Sequence, residues 1–298
     1  MAARRNKLPR YITSVLRIVA SVILAALLVS LAQAQPYSLV NTPVRQVTLE
    51  TSYGFATSSL PEFERPIATT LHIEAMVGVK RYLFSPHSDM LVDYAHPHFF
   101  LSYYIVLPTS PESGVGSGVA TLNLFRGGFG IRDGIGYRLE QIAVTPSISS
   151  AMLLAQPRFS RLPADPDSAA AANRFSSNWL FGTATAAGID LQVGTFFALN
   201  CYYDWTLVFP RFVPLQFLGS HLLQWGLQIG AGYFIDAVFG KFPALLPVAH
   251  FLIKNAINYV LYALRTRAMH FPFHSEPPLS VQTFKLGISF FIGPKILD

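Results

Sequence analysis

Few residues in this chain have the type and spacing to do chemistry. His96-Pro97-His98 and the pair His270 and His274 carry ligand-type side chains at close intervals. A metal needs three or four convergent donors in fixed geometry, and Pro272 keeps the second pair off a regular helix. No metal site and no cofactor is expected. Ser220-His221 offers a hydroxyl beside an imidazole, but neighbours on a strand point to opposite faces, so the two would not pair there. Gly128-Phe129-Gly130 and Gly134-Ile135-Gly136 look like phosphate loops. They lack a following helix and a Lys-Ser or Lys-Thr. Inside a strand such glycines mark curvature and close backbone approach instead.

What remains is a set of polar side chains on alternate positions. Glu50, His72, Glu74, Lys80, Arg126, Arg132, Arg138, Asp190, Asn200, Asp204, Gln224, Gln228 and Lys285 all fall opposite apolar neighbours. On the strands read here they face one interior. Such a set can line a solute path and set ion preference, or it can pair internally and fill a closed barrel. The narrowness of a small barrel favours the second use.

The elements that position these residues are long strands. In Phe125–Leu154, Phe125, Phe129, Ile131, Ile135, Tyr137 and Leu139 share one parity, with glycine and arginine on the other. The phase resets after Glu140-Gln141, so the stretch is a hairpin. Each arm runs about 12 residues or more, where a soluble strand has about 5–6 and a membrane-spanning strand about 9–11. Similar alternation predicts strands at Val47–Phe55, Ile67–Leu83, Phe99–Leu107, Val119 onward, Trp179–Leu191, Phe197–Phe209, Leu223–Tyr233 and Phe284–Ile292. Ser85–Pro97 reads as an irregular connection, and a bulge at Gly127-Gly128 would absorb a phase slip after Leu124. Lys254, Asn258, Tyr262 and Arg265 recur at helical spacing, so Ala244–Arg267 reads as an amphipathic helix, at a membrane interface or plugging the lumen. The expected fold is an all-β, antiparallel up-and-down transmembrane barrel of about ten strands, eight or twelve being the alternatives, since bacterial single-chain barrels are even-numbered.

Composition agrees. Only 13% of residues are charged, yet beyond residue 34 no clean apolar run of about 18 residues appears. Arg4, Arg5, Lys7, Arg10 and Arg17 precede the apolar run 18–32 and Ala32-Gln33-Ala34, the parts of a cleavable signal peptide over residues 1–34. A polar lead follows over residues 35–43, and the barrel occupies residues 44–298. Removing the signal takes the 22 basic residues to 17, against 16 acidic, so the net charge of +6 nearly vanishes. No basic surface for nucleic acid survives. Cys201 is the single cysteine, which excludes an internal disulfide.

Glycine-studded alternating strands, tight turns at one end, long loops at the other and a last strand rich in Phe resemble bacterial outer-membrane β-barrel proteins of the small, porin-related and outer membrane protein A-like sort. The resemblance covers the whole mature chain. It implies export to the outer membrane, with lipid and the barrel-assembly machinery as partners, but architecture alone gives no activity; that no catalysis is expected rests on the residues weighed above. It gives no oligomeric state. Where such proteins finish on an aromatic, this sequence continues through Gly293–Asp298. Trp179, Trp205 and Trp225 read as interfacial girdle residues. Two other classes are compatible with the chain: an outer-leaflet lipid hydrolase or acyltransferase using His221 or a loop serine, and a soluble periplasmic barrel binding an apolar ligand.

Overall fold

The computed structural model describes residues 44–63, 67–85, 88–106, 120–162, 165–176 and 179–293. The signal peptide, the polar lead, the loop 108–118 and residues 294–298 lie outside the described residues.

Eight strands close into one antiparallel barrel. They are β1 Val44–Ser59, β2 Thr70–Phe84, β3 Leu91–Val106, β4 Thr121–Leu139, β5 Ile142–Arg161, β6 Leu180–Val193, β7 Phe197–Val208 and β8 Leu279–Ile292. Each pairs with the next, and β8 returns to β1 through Val47↔Ile292 to Ser59↔Ser280. Along β1, buried and exposed positions alternate from end to end, which is the period-2 pattern that the sequence carries. The count is eight, not ten. Gly127-Gly128 lies within one uninterrupted β4, the region 236–273 adds no strand, and Leu223–Tyr233, which reads as a strand in the sequence, is helical.

β4 has no phase slip at the glycines. Leu122, Leu124 and Arg126 all point inward, and the one register shift lies at Thr121/Leu122. What changes along β4 is the character of the interior, not its phase. β3 also starts earlier than expected, at Leu91, so Pro97 sits inside a strand with His96 and His98 inward on either side.

The turns divide the barrel into two ends. Glu140-Gln141 and residues 194–196 are tight connections, the latter entered through Gly194 at φ +61°. The other end carries the long loops. There an apolar plug closes the interior, built from Phe100, Leu122, Leu124, Leu153, Val208 and Val281. Short helix α1 Pro166–Asn173 in the β5–β6 loop folds over it. Asp165 caps α1 by accepting from the Ser168 N–H at 2.8 Å, and Pro166 starts its first turn. Ser168 Oγ then donates to Glu62 O at 3.1 Å, tying α1 to the β1–β2 loop, and Phe175 fills the plug.

Between β7 and β8 the chain leaves the long-loop end as α2 Pro214–Phe239, turns through Pro243–Leu245, and returns as α3 Leu246–Arg265. At about 1.5 Å per residue these helices are about 39 and 30 Å long. The hairpin packs on the outside of the wall against β4, β5 and β6. It neither plugs the lumen nor lies flat across the barrel end, and the predicted strand Leu223–Tyr233 is part of α2. Apolar contacts fasten it at both ends. Leu91, Ala231, Ile235, Leu246 and Ala249 pack near the tight turns. Leu207, Phe209, Phe217, Tyr262 and Met269 pack near the long loops.

Candidate functional sites

Two buried polar zones lie on opposite sides of the same wall. The first fills the lumen, and it consists of two neutral quartets. In one, Arg132 meets Glu50 through two hydrogen bonds of 3.0 and 3.1 Å and approaches Asp190 at 3.7 Å, while Lys80 stands 3.6 Å from Asp190. Asn200 donates to Asp190, Ser289 Oγ donates to Glu50 at 2.9 Å, and the Tyr94 hydroxyl donates to Asp190 at 3.0 Å. The Arg132 guanidinium also lies 4.0 Å from the centre of the Tyr202 ring. In the other quartet, Arg126 reaches Glu74 at 3.2 Å and Asp204 at 3.1 Å, and Lys285 reaches the same two carboxylates at 2.6 and 3.5 Å. Arg126 further donates to Ser102 Oγ at 2.8 Å and to Thr206. Two cations face two carboxylates in each set. Buried charge is tolerated only when paired and hydrogen-bonded in this way.

The strands deliver these groups in register. Glu50 and Ser289 are cross-strand partners, as are Asp190 and Asn200. Histidines complete the lumen. His72 stacks on Tyr104 with ring centres 4.5 Å apart, and its Nε2 is 3.7 Å from Glu74. His96 Nε2 shares a 2.6 Å hydrogen bond with Thr48 Oγ1, and His98 Nδ1 donates to His96 O at 2.9 Å. Among the described residues, no three His, Cys, Asp or Glu side chains gather as a metal set.

Of the residues singled out in the sequence, Glu50, His72, Glu74, Lys80, Arg126, Arg132, Asp190, Asn200, Asp204 and Lys285 are buried in the lumen. Arg138 is half-buried near the tight-turn end of β4. Gln224 and Gln228 require correction: they sit on α2, outside the barrel. Their alternation with glycine imitates a strand, but Ser220, Gln224 and Gln228 are four apart and form one helical stripe.

That stripe belongs to the second polar zone, a seam between the helices and the wall. Lys254 Nζ lies 3.5 Å from Asp133, an outward-facing residue of β4. Gln228 Nε2 donates to Lys254 O at 3.1 Å and to Asn258 Oδ1 at 2.8 Å. Gln224 Nε2 donates to the same Oδ1 at 3.2 Å, and Gln224 Oε1 accepts from Arg265 Nη1 at 2.6 Å. Arg265 also holds Ser220 through Nε to Oγ at 3.0 Å and Nη2 to the carbonyl at 2.8 Å. Asp133 has no signal in the sequence reading, while Asn258 stands there only on a helical stripe and Ser220 only beside His221. The recurrence of polar residues four apart on both 220–228 and 254–265 was the available signal for a helical pair.

Ser220 and His221 form no catalytic pair. Ser220 Oγ accepts from Arg265, while the His221 ring stacks on Phe217 at 4.0 Å and its Nδ1 donates to Phe217 O at 3.0 Å. Beyond α3, His270 is buried against Phe209, 5.0 Å between ring centres. Burial first, then Arg265 and Arg211, push its imidazole down to about 4.

No protein-family model matches the sequence, and no curated protein matches it. Among solved structures the chain is similar to Neisserial surface protein A, with 6% identity over 82% of this chain and 96% of that one and a TM-score of 0.37. It is likewise similar to Ail, the attachment invasion locus protein of Yersinia pestis, with 6% identity over 84% and 100% of the two chains and a TM-score of 0.34. Ail in complex with the heparin analogue sucrose octasulfate aligns at 9% identity over 83% and 99%, with a TM-score of 0.31. Both are small bacterial outer-membrane barrels of eight strands.

Proposed function

We propose that this chain is an integral barrel of the bacterial outer membrane with a closed, structural interior and no catalytic role. The observation that carries the closed interior is the pair of neutral quartets lying below an apolar plug. A pathway for ions needs groups that can exchange their partners for a solute. Here each guanidinium and each lysine already faces carboxylates, and the barrel has the strand number at which side chains just fill the interior.

The membrane reading rests on the wall. On β8, β1, β2 and most of β3 the outward residues lie open, and Leu49, Phe55, Leu286 and Phe290 are 48–55% exposed. A continuous apolar band of this extent exceeds the few hundred Å² that a soluble monomer usually shows, which disfavours a soluble ligand-binding barrel. Short turns at one end and long loops at the other fit a periplasmic tight-turn end, where β1 starts and β8 finishes. Outer-membrane lipid and the barrel-assembly machinery are the partners this reading requires.

The test has two steps. Protein from the outer-membrane fraction should migrate differently on a gel when boiled and unboiled. In a planar bilayer the folded protein should then give no stepwise current. Recovery in the soluble fraction without a heat shift would overturn the membrane reading. Unitary conductance steps would overturn the closed interior alone.

A further inference from the structure

The long-loop end of the seam has more hydrogen-bond donors than acceptors. Arg265 carries five N–H groups. Three are used, by Ser220 Oγ, Ser220 O and Gln224 Oε1. Two remain, and no carboxylate among the described residues lies within ion-pair distance of Arg265, which is only 3% exposed. The C-terminus of α3 offers it partial negative charge, equivalent to about half a unit, so the cation is incompletely balanced.

The same arginine fixes a third free donor. By donating to Gln224 Oε1 it turns Gln224 Nε2 toward Asn258. Asn258 must therefore present Oδ1 to Gln224, and Gln228 donates to that same oxygen. Asn258 Nδ2 is left without a partner, on a residue 1% exposed. Beside it lies a small cavity, open on one side, with free room for about one water-sized atom. Thr183, Thr185, Asn258, Tyr262 and Arg265 line it, with Trp205 and Leu207 as its apolar side. Arg265 is in the last turn of α3 and Leu207 is one residue from the end of β7. If the wall faces lipid, as proposed above, the cavity sits near headgroup depth.

We propose that this cavity holds an acidic headgroup oxygen, carboxylate or phosphate, of one anionic amphiphile drawn from the leaflet on the long-loop side. The two Arg265 N–H groups, Asn258 Nδ2 and the Thr185 hydroxyl in the lining would take the oxygen, and the acyl chain would leave past Trp205 along the apolar wall. Such donors bind an anion more strongly than water because the hydrogen bonds are charge-assisted.

The full chain, folded in nonionic micelles, tests this with Trp205 as its single tryptophan after Trp179→Phe and Trp225→Phe. Dibromostearate at a pH where it is ionised should quench Trp205 saturably, while its methyl ester should quench only in proportion to its mole fraction in the micelle. Arg265→Leu should weaken the acid's binding roughly tenfold or more, and Thr185→Val by a few-fold. The heat shift on a gel verifies that each variant is folded. Should Arg265→Leu not fold, Thr185→Val still decides. Equal quenching by acid and ester, or unchanged binding in both folded variants, overturns the proposal. Full displacement of the acid by inorganic phosphate alone also overturns it, because the site would then take a free anion. Loss of the heat shift in the parent protein would instead sink the membrane reading, so the two failures are distinguishable.

Discussion

The lumen and the seam are both buried and both polar, but they are built on different chemistry. The lumen sets four cations against four carboxylates, each cation within reach of at least one carboxylate from another strand. The seam is a chain of amides and one arginine without an acid, with a single ion pair at Asp133 and Lys254. Removing a member of the lumen strands a charge in a closed space. Removing a member of the seam loses an amide contact that neighbouring groups partly replace. The barrel therefore keeps its rigid network inside and its adjustable one on the wall.

Arg132→Met breaks this comparison most severely. It strips Glu50 of two hydrogen bonds and leaves Lys80 as the one cation beside Asp190. Breaking a buried pair costs about 3–5 kcal/mol, and urea unfolding in micelles should show a loss of that order. Adding Glu50→Gln should recover much of it, since the stranded charge goes. If the single variant were no less stable than the parent, the quartets would not be what holds the interior.

The seam's long-loop end carries its own sensitivity. His270 is held at about 4 by burial and by Arg265 and Arg211, against about 6.5 in an unfolded chain. Its folded value is depressed, so its contribution is fully present above pH 6.5. It is lost as pH falls through the interval down to about 4, because only the unfolded ring takes up a proton there. The full shift corresponds to at most ~3 kcal/mol. Proteolysis of the segment 266–278 should accelerate across that interval, and His270→Phe should flatten the dependence.

Gly188→Ala probes how closely the lumen is packed. A methyl at Gly188 would overlap the Tyr202 ring, and that ring lies against Arg132 while its hydroxyl shares a 2.7 Å hydrogen bond with Ser147. Overpacking of this kind costs about 1–3 kcal/mol. Unfolding midpoints of Gly188→Ala and of the double variant with Tyr202→Phe separate the causes. If steric crowding is the cause, the phenylalanine ring will not relieve it.

The wall of the barrel was legible because a strand with one face to lipid and one to a polar interior must alternate; β1 does so from end to end, and β6, β7 and β8 do so over most of their length. The charged quartets were legible for the same reason. The plug was not. Where Leu122 and Leu124 point inward the interior is itself apolar, so the alternation disappears although the strand continues. The first helix was hidden by a coincidence of periods. A helix with an apolar exterior needs only a narrow polar stripe, and Ser220, Gln224 and Gln228 with intervening Gly226 and Gly230 repeat on even positions just as a strand would. The second helix was legible because Lys254, Asn258, Tyr262 and Arg265 lie among apolar residues at steps of four, four and three, and the step of three breaks the parity a strand would keep.

The smallest expected effect sharpens the comparison furthest. Asn258→Leu removes the oxygen that serves both Gln224 and Gln228. Within a membrane such side-chain hydrogen bonds average about 0.6 kcal/mol, and Gln228 retains its bond to Lys254 O while Gln224 retains Arg265. The double variant Gln228→Leu with Asn258→Leu should cost little more than the single one, because the two residues share that contact and their effects do not add. A loss comparable with that of Arg132→Met would mean that the hairpin is as integral to the barrel as its lumen. A loss near the expected size would mean that α2 and α3 can readjust on the wall while all eight strands stay closed, which is what an amphiphile entering between them would require.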